Sequence, residues 1–166
     1  MVAVVDLFGL ALLVIAAWRD VATRTIPNWI SLLLLALGAV RFLQDPSALV
    51  QSAGAALLLF LLLLVFYSRG FIGGGDVKLM TALAVGLSPL DSYRFVVATA
   101  IAGGILAVAY VMTSFRLPEQ PMTKRTSLLG RVAAIESWRI RKRGPLPYGV
   151  AIAAGGAFVL LHSGSF

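Results

Sequence analysis

Residues 49–67 read Leu-Val-Gln-Ser-Ala-Gly-Ala-Ala-Leu-Leu-Leu-Phe-Leu-Leu-Leu-Leu-Val-Phe-Tyr, a run without one charged side chain. About 20 apolar residues in a helix cross a hydrocarbon core of roughly 30 Å. The apolar side chains follow one another instead of alternating, so the run reads as a helix and not as a barrel strand. Lipid admits only these two forms, because the backbone must satisfy its own polar groups there. Working outward, five more runs share this character: about 2–18, 29–43, 77–90, 94–115 and 145–162. Of the 166 residues, 60% are hydrophobic and 13% charged, against roughly 45–50% and 25% in soluble domains. The sequence thus predicts an all-α, polytopic membrane helix bundle with about six transmembrane helices. No internal repeat or low-complexity linker divides it, so 1–166 reads as one integral-membrane domain.

Charge orients the spans. Run 77–90 is short enough to be re-entrant, and the basic residues decide the point. If all six runs cross, residues 19–28, 68–76 and 116–144 share one side. That side then carries Arg19, Arg24, Arg69, Lys78 and the eight basic residues between Arg116 and Arg143, leaving Arg41 and Arg94 opposite. A non-crossing fourth run would move the basic 116–144 loop to the far side. Six spans follow, with both termini outside and the basic segments cytoplasmic. The first run lacks a basic leader, carries Asp6 and shows no clear cleavage site, so it is read as a retained helix. Ala98, Ala102, Gly103, Gly104, Gly155 and Gly156 are read as close helix contacts. In the cytoplasmic loop, Leu128, Val132 and Ile135 share a helical stripe that fails at Arg139. A short interfacial helix over 124–138 with its bases on lipid phosphates, and a solvated basic loop, both fit this pattern.

The net charge of +7 is read as orientation and contact with membrane lipid, not as a nucleic-acid surface. The chain has no cysteine and one histidine, His162. That excludes a disulfide framework, a Cys or His-cluster metal site and a thiol nucleophile; no metal or cofactor is expected.

With seven acids in all, each can be weighed. Asp6 faces the outer interface, Asp45 sits in an Asp-Pro turn, Asp91 is placed to pair with Arg94, and Glu119 and Glu136 are read as solvated. Asp20 and Asp76 remain. Asp20 lies within Trp18-Arg19-Asp20-Val21-Ala22-Thr23-Arg24-Thr25-Ile26-Pro27-Asn28, and Asp76 follows Gly73-Gly74-Gly75. The topology places both at the same depth on the same face. Membrane-edge acids are costly and are functional candidates for that reason. Two carboxyls sharing one water suit peptide hydrolysis: they share a proton, one activates the water, and the other polarises the carbonyl. Asp76 starts a helix, and the dipole there points to it as the first-ionised partner. The glycines offer a flexible edge able to hold a substrate extended; a plain loop before an N-cap acid would look the same.

Gly73-Gly74-Gly75-Asp76-Val77-Lys78-Leu79 resembles the G-x-G-D-x-K-L pattern of the prepilin peptidases, aspartic proteases of the inner membrane. Asp20 with Arg24, Ile26, Pro27 and Asn28 is similar to that family's D-x3-R-x-I-P-N element. Pro147-Tyr148-Gly149 resembles its P-[YF]-G element, in family order. The resemblance implies Asp20 and Asp76 as the catalytic pair. Gly73, Gly74, Gly75, Lys78, Arg24, Pro27, Asn28, Pro147, Tyr148 and Gly149 would then be supporting or substrate-binding residues. It implies removal, on the cytoplasmic side, of the basic leader of type IV prepilins and pseudopilins at a glycine preceding a hydrophobic helix. Without cysteines, and with Asp20 directly after the first span, the chain resembles the minimal branch, similar to the CpaA and TadV peptidases of tight-adherence (Flp) pili. N-methyl transfer is accordingly not expected. Lys78, about 200° around the helix from Asp76, is expected to reach for lipid phosphates. Two other classes compete: a non-enzymatic assembly factor of a pilus or type II secretion machine, and a small proton-relaying transporter. The latter would hold its acids nearer the midplane.

Overall fold

The computed structural model describes residues 2–42, 46–116, 128–141 and 146–163. The Asp45 turn, Glu119, the start of the basic loop and its Lys142–Arg143 end lie outside the described residues. Those described form α1 (Val2–Thr23), α2 (Asn28–Phe42), α3 (Pro46–Ser68), α4 (Gly74–Val85), α5 (Pro89–Arg116), α6 (Leu128–Arg141) and α7 (Tyr148–Ser163). They contain no strand. Continuous apolar runs leave no alternating face for a sheet, and the helix satisfies its own backbone.

Two helices sit at the centre. α7 packs between α1 and α5, α4 packs between α2 and α3, and α4 also meets α7. Leu13, Leu83, Phe95 and Ile152 are fully buried in the shared core. Close approach of the helices depends on small residues. A Cβ on Gly155 would lie 2.7 Å from the Thr99 backbone nitrogen on α5, and one on Gly156 would lie 2.7 Å from Leu13 on α1. Gly103 accommodates the ring of Tyr148. Gly104 differs from the expectation of close contact: nothing stands within 4 Å of its missing side chain.

The outer surface is strongly apolar. Leu7, Val14, Leu58, Ile105, Phe115 and Leu161 are among many large side chains left exposed. The segments Val50–Ser68 and Pro89–Phe115 are each long and apolar enough to cross a membrane, and Asn28–Val40 and Tyr148–His162 are shorter apolar helices.

The helix boundaries correct the sequence reading at one turn. The run 77–90 was expected to be one span and 94–115 the next. Instead α4 ends at Val85 and α5 begins at Pro89. The signal is local. Ser88 Oγ accepts the Asp91 N–H at 3.1 Å and donates to Asp91 Oδ2 at 2.7 Å. Ser88 thus caps the start of α5, ahead of a proline at the first helical position. Asp91 then pairs with Arg94 at 3.1 Å, as the sequence suggested.

Candidate active site

One end of the bundle gathers the α1–α2 loop, the α3–α4 loop, α6 and the start of α7. These are the segments that the charge pattern assigns to one side. Asp20 lies in the last turn of α1 and is only 7% exposed. Its Oδ2 accepts the Gly149 N–H at 2.8 Å. Gly149 is the second residue of α7, where backbone N–H groups have no partner within the helix and the dipole favours an anion. The Pro147-Tyr148-Gly149 element thus has a physical reason. Pro147 is buried just before the helix, and a Cβ on Gly149 would stand 2.9 Å from the Asp20 Cβ.

Asp76 lies on the other central helix itself, in the first turn of α4, half-buried, with Gly73 packed against its carboxylate. The three glycines do not form the extended edge expected of them. Gly73 alone is extended, with φ −73° and ψ 146°, while Gly74 and Gly75 are the first residues of α4. Their bare backbones admit their own chain: Gly73 lies against Asp76 Oδ2, Gly74 against Tyr67 and Gly75 against Ile26. These contacts draw the α1–α2 and α3–α4 loops up to the two acids.

Both carboxyls lie outside the apolar runs 2–18 and 77–90, and both are shifted. Burial holds Asp20 above the usual carboxylate range, opposed by the Gly149 N–H and by Arg24. Burial also raises Asp76, and the neighbouring Asp20 charge raises it further, opposed by the Gly73 N–H and Arg24. The charge of Asp20 thus acts on Asp76, as expected of two neighbouring carboxyls. Asp20 answers to the N-terminus of α7 and to both Arg24 and Arg139, whereas Asp76 carries the added cost of Asp20's charge.

The other candidates divide into two groups. Arg24, Gly73 and Gly149 touch the two acid-bearing turns, Pro147 is buried just before Gly149's helix, and the ring of Tyr148 turns to Gly103 on α5. Lys78 and Asn28 pair with each other instead. The Lys78 Nζ donates to Asn28 Oδ1 at 3.2 Å, in a groove shared with Ser31, Leu32, Phe60 and Thr81. Helical spacing had already turned Lys78 away from Asp76. Pro27 precedes α2 rather than opening it, and its carbonyl accepts the Ile30 N–H at 3.2 Å.

Glu136 corrects the sequence reading. It was read as solvated, yet its side chain is 13% exposed and its Oε1 meets Arg24 Nη2 at 2.5 Å. Tyr110 of α5 also donates to Oε1, and Arg139 Nη1 reaches Oε2 at 3.2 Å. Segment α6 is thus a helix running on to Arg141, with Arg139 turned inward to the Val21 carbonyl at 2.8 Å. The failure of the apolar stripe at Arg139 was the signal, since an arginine on an inner face needs an acid beside it.

A carboxyl pair at one end of a helical bundle, each member seated at a helix N-terminus, is equipped for general acid–base chemistry on a water molecule. A profile of the type IV leader peptidase family matches residues 7–108, which hold both Asp20 and Asp76. A prepilin leader peptidase/N-methyltransferase of Bacillus subtilis (strain 168) is 30% identical over 162 residues, covering 94% of this chain and 54% of the relative. The chain belongs to the type IV leader peptidase family. It spans about half the length of the curated relative it matches. No solved structure matches it.

Proposed function

We propose that the chain is an aspartic endopeptidase that removes the basic leader of type IV, Flp-like prepilins and pseudopilins, with Asp20 and Asp76 as its catalytic pair. The observation that carries this reading is the convergence of the two acids, 56 positions apart in sequence, at adjacent helix starts where Asp20's charge acts on Asp76. Ionised Asp20 takes a proton from water as the oxygen attacks the scissile carbonyl. Protonated Asp76 donates a hydrogen bond to that carbonyl oxygen. Collapse of the tetrahedral intermediate breaks the C–N bond, and the proton held by Asp20 passes to the leaving amine.

The bundle crosses the bacterial inner membrane six times, with the acids at its cytoplasmic edge. The exposed apolar surface and the gathering of the basic segments at the acids' end support this. No cysteine occurs in the 166 residues, so a four-cysteine zinc site is not among them. Proteolysis is the activity proposed for this stretch of chain.

The test is cleavage of a prepilin, co-expressed or supplied as a precursor peptide to purified protein in detergent. Asp20→Asn and Asp76→Asn each abolish cleavage while leaving membrane insertion intact. Normal processing by either variant refutes the assignment, and failure of the purified wild-type protein to cut would favour a non-enzymatic assembly role.

A further inference from the structure

Arg24 follows the last residue of α1 with φ 56°, a left-handed conformation that is unfavourable for a non-glycine residue. What holds it there is specific. Its N–H donates to the Asp20 carbonyl at 2.9 Å, closing the end of α1. Its guanidinium meets Glu136 through Nη2, with both side chains largely withdrawn from water. Its Nε and Nη1 are buried without a hydrogen-bond partner, so the ion pair anchors the group. Glu136 is fixed in turn by Tyr110 from α5 and Arg139 on its own helix. Arg139 also takes the Val21 carbonyl, one turn-end acceptor that α1 leaves open. Three helices therefore meet at Glu136, one residue step from the Asp20 turn.

We propose that Glu136 is a positioning residue of the peptidase: it anchors Arg24, the residue whose N–H closes the Asp20 turn, which makes helix α6 part of the active site. The proposal rests on the reading of those two aspartates as the catalytic pair. The charged and titratable groups concerned are Asp20 on α1, Arg24 in the loop after it, Asp76 on α4, Tyr110 on α5, and Glu136 and Arg139 on α6. Arg24 acts on both aspartates and opposes the effect of their burial, and Glu136 and Arg139 act on Asp20 as well.

The pH profile of kcat/KM separates this role from a merely structural one. With Arg24→Gln the pair loses its cation, and the acid limb moves upward by about one unit. Glu136→Ala frees Arg24 and moves the limb the same way by less, because the loss of Glu136's own charge at Asp20 acts in the opposite direction. The double variant goes no farther than Arg24→Gln alone, and Glu136→Asp restores part of the wild-type profile. If Glu136→Ala fails to fold, Glu136→Met keeps the length of the side chain without its acceptor and is read by the same criteria. If Arg24→Gln still moves the limb by its full amount when Glu136 is already Ala, Arg24 never depended on Glu136 and the proposal is overturned. Asp20→Asn and Asp76→Asn run alongside. Cleavage persisting in either sinks the catalytic reading itself, while loss in both with a full Arg24→Gln shift in the Glu136→Ala background sinks only the role of Glu136.

Discussion

Gly149 shows how one missing side chain ties the last helix to the proposed chemistry. Its N–H stabilises the ionised form of Asp20, and its lack of Cβ permits the 2.8 Å approach. Gly149→Ala forces the carboxylate away, because the new Cβ would stand 2.9 Å from Asp20 Cβ and 3.0 Å from Oδ2. A hydrogen bond to a charged group contributes about 1.5–3 kcal/mol, so kcat/KM falls by roughly tenfold or more. The sign of the pH effect follows. The N–H lowers the Asp20 pKa, its loss raises it, and activity is then lost at a higher pH as pH falls. Cleavage rates of Gly149→Ala across the acid and neutral range check both effects. An unmoved acid limb would mean that this bond does not govern the pair. The sequence disclosed the element Pro147-Tyr148-Gly149 and its order, but not its partner. A contact across 129 positions leaves no local periodicity to read.

Among the elements, α5 and α7 form a packing whose tightness depends on glycine. Gly155 sits against the Thr99 backbone, while Gly104, on the same helix as Thr99, has open space where a side chain would be. Overpacking against backbone costs about 1–3 kcal/mol, so Gly155→Ala lowers the thermal midpoint in detergent. Gly104→Ala leaves it level or raises it slightly, since alanine favours helix by roughly 0.5–1 kcal/mol. Equal midpoints for the two variants would refute the close α5–α7 contact. The six apolar runs each met a helix because length and continuity are local properties. The boundary between α4 and α5 was misplaced because hydropathy weighed Leu87 and Leu90 as span, whereas Ser88, Pro89 and Asp91 begin a new helix. Helix α6 was only half legible. Its stripe of Leu128, Val132 and Ile135 was visible, but the inward turn of Glu136 and Arg139 depends on Arg24 and Val21, more than a hundred positions away.

At the scale of the whole molecule, the packing separates two polar clusters. Arg24, Arg139, Asp20 and Asp76 belong to one end of the bundle, and the Ser88–Asp91–Arg94 cluster belongs to the turn between α4 and α5. Helix α4 decides the count of crossings. At 12 residues it rises only about 18 Å, short of the roughly 30 Å hydrocarbon core. It spans only if the turn after it, as far as Leu90, completes the passage. If it does, Ser68 and Tyr93 lie on opposite sides of the membrane; if α4 turns back, they share a side. Both side chains are exposed, Tyr93 at 67%, and the chain holds no cysteine of its own. Ser68→Cys and Tyr93→Cys therefore each introduce a single thiol. In intact cells whose outer barrier has been opened, a charged maleimide that cannot cross the inner membrane labels the Tyr93→Cys protein. It spares the Ser68→Cys protein until the cells are lysed. Labelling of both in intact cells, or of neither, would exclude the six-span arrangement and leave the acids' end of the bundle without its proposed cytoplasmic address.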